Sequence, residues 1–179
     1  MAGQRQHAWV RGTVAALCGF LASGQDGSRS EAPCPAPWLN VSADLGCLLL
    51  VDETHLPWQM AQDDCHAQQA KLLEWSEENS TEQYDVLNEV LSQIFFVTGA
   101  NSWWIGGRVA DEAGVWVWAS NSEPLPSEFP WAWGQPGQDS RAKCLELQDD
   151  FRPQPNFEGV ASECTSFRPR ICQRLVPSA

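Results

Sequence analysis

Two stretches of this sequence place residues that could do chemistry at short spacing. In the first, Trp131 and Trp133 are followed by Gln135 and Gln138 within a proline-rich run. Aromatic faces stack on apolar or planar rings, and a primary amide both donates and accepts hydrogen bonds. That is recognition chemistry rather than bond-breaking chemistry. The same tryptophans would equally serve as core residues folded under the run, because large aromatics are highly buried on average. The second stretch carries Asp149, Asp150 and Glu158. Carboxylate oxygens of this kind suit a hard cation, although such acids more often form a solvated loop. A catalytic set does not emerge. His55 and His66 lie in no nucleophile motif, and no glycine loop of the phosphate-binding kind is present. Asp63 and Asp64 directly precede Cys65 on a helical stretch and fit a solvated face. An enzyme is not expected.

The compartment decides how the cysteines read. Arg5, His7 and Arg11 precede a short apolar run from Thr13 to Leu21, and Ala22-Ser23-Gly24 offers small residues for cleavage. Residues 1–24 therefore read as a secretory signal peptide, too short to span a membrane comfortably. Residues 25–33 read as a linker. Of the seven cysteines, Cys18 leaves with the signal. Cys34, Cys47, Cys65, Cys144, Cys164 and Cys172 remain, an even set that implies three disulfides in an oxidising compartment. Spacing alone leaves their connectivity open. Without a Cys-x-x-Cys pair, zinc is not expected. A formal charge of -12 argues against nucleic acid and anionic lipid as partners. No further apolar run is long enough for a membrane span, so no membrane insertion is expected. Asn40-Val41-Ser42 and Asn79-Ser80-Thr81 are glycosylation acceptors.

The elements that must position these residues follow from periodicity. Leu48 to Val51 reads as a buried strand. Pro57 suits the first position of a helix, with Trp58, Ala61, Cys65 and Leu72 on one face; Lys71 to Trp75 reads alternatively as extended. Ser80 and Gln83 form a candidate capping box for a second helix. Its stripe is Val86, Leu87, Val90, Leu91, Ile94 and Phe95, and Gly99 is its stop. A hairpin follows, Trp103 to Val109 against Val115 to Ala119, turning at 111–114. Gly106-Gly107 inside a strand is costly unless a large side chain or another backbone needs the space. Residues 120–142 lack periodicity, and a loop of about twenty residues is usually functional or disordered. Its tryptophans argue for order. Lys143 to Leu147 alternates as a strand holding Cys144, residues 148–163 read as irregular, and Arg170 to Gln173 closes the chain as a strand.

This order of cysteines and helices, together with Trp104-Ile105-Gly106-Gly107, Trp116-Val117-Trp118 and a Gln-Pro loop, closely resembles a C-type lectin-like domain. The likeness covers residues 34–173, leaving 174–179 as a tail, and Cys34 with Cys47 matches the extra pair of the long form. The resemblance implies an α+β fold with two helices, small antiparallel sheets and a long loop region. It implies the pairs Cys34–Cys47, Cys65–Cys172 and Cys144–Cys164.

Sugar-binding members of that family hold calcium in the long loop. They use a Glu-Pro-Asn or Gln-Pro-Asp triplet, an acid two before the next cysteine, and a Trp-Asn-Asp triplet. Here the positions read Gln135-Pro136-Gly137, Ala142 and Gly159-Val160-Ala161. Four of the five side-chain ligands are thus missing. Residues 149–158 look like an insertion, and Asp149, Asp150 and Glu158 are the alternative cation ligands. No cofactor is expected, calcium being the alternative. The resemblance therefore implies a secreted recognition protein that binds glycans, of microbes or of glycoproteins, without the standard calcium site. The alternative is a lectin-like module that binds a protein. Ligand contact is expected at Trp131, Trp133, Gln135 and Gln138.

Overall fold

The computed structural model describes residues 34–110, 114–149 and 153–175. Residues 1–33, to which the signal and linker readings apply, together with 111–113, 150–152 and 176–179 lie outside this range. The elements in order are β1 (Leu39–Ser42), β2 (Gly46–Leu56), α1 (Trp58–Ala67), β3 (Lys71–Leu72), α2 (Ser80–Thr98), β4 (Ser102–Val109), β5 (Trp116–Trp118), β6 (Ala142–Asp149), β7 (Phe157–Glu163) and β8 (Arg168–Arg174). The sheet runs β1-β2-β8-β4-β6-β7, with β3 on β8 and β5 on β4. Pairing is antiparallel except between β4 and β8, where Trp104 lies opposite Arg170. This is the expected α+β architecture with two helices.

Both faces of β4 are covered, which explains its run of bulky neighbours. Trp103 and Ile105 join Leu45, Leu48, Leu87, Leu91 and Ile94 in one cluster, on the side of α2. Trp104 joins Trp38, Trp58, Ala61, Cys65 and Cys172 in the other, on the side of α1. Adjacent strand residues point to opposite faces, so Trp103 and Trp104 are each fully buried in different cores. Buried indole N–H groups need acceptors. Trp58 Nε1 donates to the Ile105 carbonyl at 2.8 Å, which stitches α1 to β4, and Trp104 Nε1 donates to the Leu56 carbonyl at 2.8 Å, which ties β4 to the end of β2.

Three disulfides reinforce this frame: Cys34–Cys47, Cys65–Cys172 and Cys144–Cys164. The second joins α1 to β8 across 107 residues. The chain-entropy view assigns a bridge of that span roughly 4–5 kcal/mol.

Local details differ from the sequence reading at several points. Pro57 is the residue before α1, with φ −59 and ψ 152, not its first turn. Its carbonyl accepts Ala61 N–H at 2.9 Å. Leu72 lies outside the helix, in β3, because Gln69 takes a positive φ and the chain reverses there. The capping box at Ser80 is not made. Ser80 Oγ instead accepts the buried Trp75 indole N–H at 3.1 Å, and Gln83 Nε2 donates to the Glu78 carbonyl at 2.6 Å. Gly99 does stop α2, at φ 74, with its N–H on the Phe95 carbonyl. Within 148–163, Phe157–Glu163 forms a strand rather than an irregular run, because its backbone finds β6, with Leu145 opposite Ala161 and Leu147 opposite Gly159.

The glycines of β4 leave room for two side chains. A Cβ on Gly106 would sit 2.6 Å from Glu74 Cγ, and one on Gly107 would sit 2.3 Å from Leu145 Cδ2 and 2.8 Å from Leu145 Cβ. Gly107→Ala is therefore expected to cost about 1–3 kcal/mol through overpacking. Gly137→Ala, whose Cβ would meet nothing nearer than 3.9 Å, is expected to stay within about 0.5 kcal/mol of wild type. Urea unfolding of the two variants checks both; equal midpoints would contradict the packing argument.

Candidate functional site

The long loop from Ser120 to Arg141 carries almost no regular structure, yet its backbone is held at many points. Glu74, buried beneath β4, grips its start. One carboxylate oxygen accepts Ser120 N–H at 3.0 Å, and the other accepts Lys71 Nζ at 2.7 Å and the Ser120 hydroxyl. The chain then folds back on β5, with Leu125 N–H on the Trp116 carbonyl at 3.1 Å and Trp118 N–H on the Glu123 carbonyl at 2.8 Å. At Ser127 the hydroxyl and N–H both donate to Glu77. These bonds, the hydroxyl first, hold the Glu77 carboxyl below the usual carboxylate range.

Phe129 plunges into the core. It stacks on Trp75 with centroids 5.2 Å apart and tilts against Trp131 at 4.9 Å, and Trp131 meets Trp116 edge-on at 5.2 Å. An aromatic ladder thus runs from the buried Trp75 out to Trp116. The next residues lie along the edge of β7. Gly159 N–H donates to the Pro130 carbonyl at 2.8 Å, and Ala132 N–H to the Gly159 carbonyl at 3.0 Å. A Cβ on Gly159 would sit 2.3 Å from Phe129 Cε1, so the small residue at that position admits the ladder. A tight turn follows. Gln135 N–H donates to the Ala132 carbonyl at 2.9 Å, Gly134 takes φ 78, and the Gln135–Pro136 bond is cis.

The four expected ligand residues separate into two kinds. Trp131 is half-buried in the ladder, and Gln135 Oε1 accepts Ala161 N–H at 3.1 Å; both position the loop. Trp133 stands at the turn apex with 97% of its surface exposed. Gln138 lines a groove of about 410 Å³ between the β4–β5 hairpin and the 136–143 segment. Trp116 and Lys143 also line it, and sequence reasoning assigned neither to the site. Strand register and the contact with Trp131 place Trp116 there, half-buried. Where the loop rejoins β6, Asp139 accepts the Arg141 backbone N–H at 3.0 Å and its guanidinium at 3.2 Å; the guanidinium also meets Glu163 at 3.0 Å. The backbone bond and then the guanidinium hold Asp139 below the usual carboxylate range, and Asp139 raises Arg141 in return.

This arrangement does not fit calcium. A hard dication wants six to eight oxygen ligands, with carboxylates among them. The Gln135 oxygen is committed to the backbone of β7, and Gly137, Ala142, Val160 and Ala161 offer no side-chain oxygen. Among the described residues, no group of three or more His, Cys, Asp or Glu is placed to hold a metal ion. The alternative ligands separate as well. Asp149 lies opposite Phe157 and Gln148 opposite Glu158, so Asp149 and Glu158 point to opposite faces of the β6–β7 pair. Asp149 is buried and accepts Asn156 N–H at 2.9 Å. The end of the inserted segment is strapped to α2: Asn88 accepts Phe157 N–H at 2.9 Å and Ser92 donates to the Pro155 carbonyl at 3.2 Å. Asp150 lies outside the described residues.

A family model of the lectin C-type domain matches residues 54–174. The Ca2+-independent C-type lectin SPL-2 from Saxidomus purpuratus is 22% identical, with a TM-score of 0.64 over 84% of this chain and 100% of that one. The SPL-1–GlcNAc complex is 21% identical, with a TM-score of 0.66 over 83% and 100%. The C-type lectin domain of murine dendritic cell inhibitory receptor 2, solved in complex with N-glycan, is 17% identical, with a TM-score of 0.58 over 79% and 98%. No curated protein matches the chain in sequence. At these identities the structural likeness carries the fold.

Calorimetric titration with calcium is expected to return no micromolar site, and the thermal midpoint is expected not to move when a chelator replaces calcium. A micromolar site lost on Asp149→Ala or Glu158→Ala would show instead that the inserted segment binds the ion.

Proposed function

The chain belongs to the lectin C-type domain family, and from that premise we propose that it is a secreted protein that recognises glycans without the standard calcium site. The observation that carries this reading is Trp133. An indole exposed over 97% of its surface is an unfavourable thing to show to water, and here it is shown from a turn bonded at both ends. Ala132 is tied to Gly159 and Gln135 to Ala161. A rigid, amphipathic aromatic contact loses little conformational freedom on binding. The groove lined by Gln138 adds a side-chain amide and the Ser140 hydroxyl for sugar hydroxyl groups, and its volume falls in the usual range for small-ligand sites of about 300–1,000 Å³. The solved SPL-1–GlcNAc complex and the Ca2+-independent SPL-2 lectin support both halves of the reading. No reaction is proposed.

Secretion rests on the apolar leader and on three disulfides, which persist in oxidising compartments. Asn40 and Asn79 are both exposed and are proposed to carry glycans. N-terminal sequencing of the extracellular protein is expected to begin near Gln25; material that begins at Met1 would rule out cleavage.

A glycan array probed in calcium and again in chelator tests the main reading. Binding is expected in both, with the same pattern. Trp133→Ala is expected to weaken it about tenfold, in line with loss of an aromatic contact, at an unchanged thermal midpoint. If no glycan binds in either condition, the exposed tryptophan marks a protein-docking surface instead, since such anchors also dominate protein interfaces.

A further inference from the structure

The register of the central strands places three groove residues in one row. Val109 lies opposite Trp116, and Arg108 lies opposite Cys144. Lys143 directly precedes Cys144, so the row across β6, β4 and β5 reads Lys143, Val109, Trp116. All three line the groove beside the long loop. Strands lie about 4.8 Å apart, so the backbones of Lys143 and Trp116 are separated by about two such spacings. That leaves a bay over Val109 about as wide as one sugar ring. Trp116 is fixed at one wall by its edge contact with Trp131. Lys143 forms the other wall.

The charges within the groove are unequal in their commitments. Asp139, the other charged lining residue, is taken up by the backbone N–H and guanidinium of Arg141. Lys143 makes no ion pair among the described residues. In a chain of net charge -12, an exposed ammonium beside an aromatic wall, with no carboxylate of its own, lacks a structural task.

We infer that the groove selects sugars carrying an anionic substituent, a carboxylate or a sulfate. The ring lies against Trp116, its acidic group meets the Lys143 ammonium, and Gln138 and Ser140 face its hydroxyls. This assignment rests on the glycan-binding reading and names the ligand class of that site. A charge-assisted hydrogen bond is roughly twice as strong as a neutral one, so the substituent, not the ring, sets the preference.

Matched pairs decide it: glucose against glucuronic acid, and N-acetylglucosamine against its 6-sulfate, each as a multivalent conjugate, in chelator. The acidic member of at least one pair is expected to bind about tenfold more tightly, and the pair that responds tells carboxylate from sulfate. The preference is expected to shrink with added salt. Lys143→Glu is expected to bring the acidic-to-neutral ratio down to about one or below, and Lys143→Arg to keep it above one, results that a purely structural role for Lys143 would not produce. Equal binding of both members by the wild-type protein overturns the inference while leaving glycan recognition standing. Binding of no sugar at all removes the glycan reading, and the inference with it.

Discussion

Two missing Cβ atoms, at Gly106 and Gly107, set the distances on which the rest of the structure depends. On one side the gap admits Glu74. A buried carboxylate persists only when it is paired and fully hydrogen-bonded, and Glu74 meets that demand with Lys71 and both donors of Ser120. The long loop therefore begins at a fixed point. On the other side the gap admits Leu145, which seats β6 closely on β4 and with it the Cys144–Cys164 bridge. The backbone of Gly106 binds in two further directions, donating to the Leu73 carbonyl at 2.8 Å and accepting from Ala119 at 2.9 Å. The Trp-Ile-Gly-Gly stretch is thus the junction of sheet, loop and buried charge.

From that fixed start, order spreads into a segment with almost no regular secondary structure. Each member of the ladder is held by the one before it: Trp75 by its bond to Ser80, Phe129 by its stack on Trp75, Trp131 by Phe129 and Trp116. The loop also covers the outer edge of β7, through Pro130 and Ala132 on Gly159. An edge strand left open would invite pairing with other chains. One segment thereby covers the edge of the sheet and presents the proposed recognition surface.

Most of the frame was legible in the sequence, for identifiable reasons. The stripe of α2 and its Gly99 stop are local signals, and the β4–β5 hairpin announces itself by two β-prone runs around a turn. What escaped depends on partners remote in sequence. β7 has weak alternation and exists because β6 and the loop pair with it. The Ser80–Gln83 pattern looked like a capping box, but the Trp75 indole outcompeted the helix end for the Ser80 hydroxyl. At the site, the lost calcium side chains could be read directly from residue types. The division of labour between Trp131, folded into the ladder, and Trp133, left exposed, could not. Trp131 precedes the turn and Trp133 sits within it, a difference of two residues. Lys143 was hidden for a similar reason, since its place in the groove is a fact of strand register.

Without the family's calcium side chains, other contacts hold the proposed recognition surface in shape. In the family pattern an ion ties the loop to the strand that precedes the last bridge of the loop region. Here the same two segments are tied by Gln135 on Ala161 and by Arg141 between Asp139 and Glu163. The second tie is exposed, and exposed ion pairs contribute little, about 0–1 kcal/mol. The first is a single hydrogen bond between partly buried partners, worth about 1 kcal/mol. Neither replaces an ion by itself. The larger contribution comes from the aromatic ladder beneath, because buried aromatic area scales with the hydrophobic effect and does not depend on any ion. Gly159 makes this possible, since a side chain there would occupy the position of Phe129. The small residue at the position where the family pattern has Trp thus admits the packing that ties the loop to β7 without an ion.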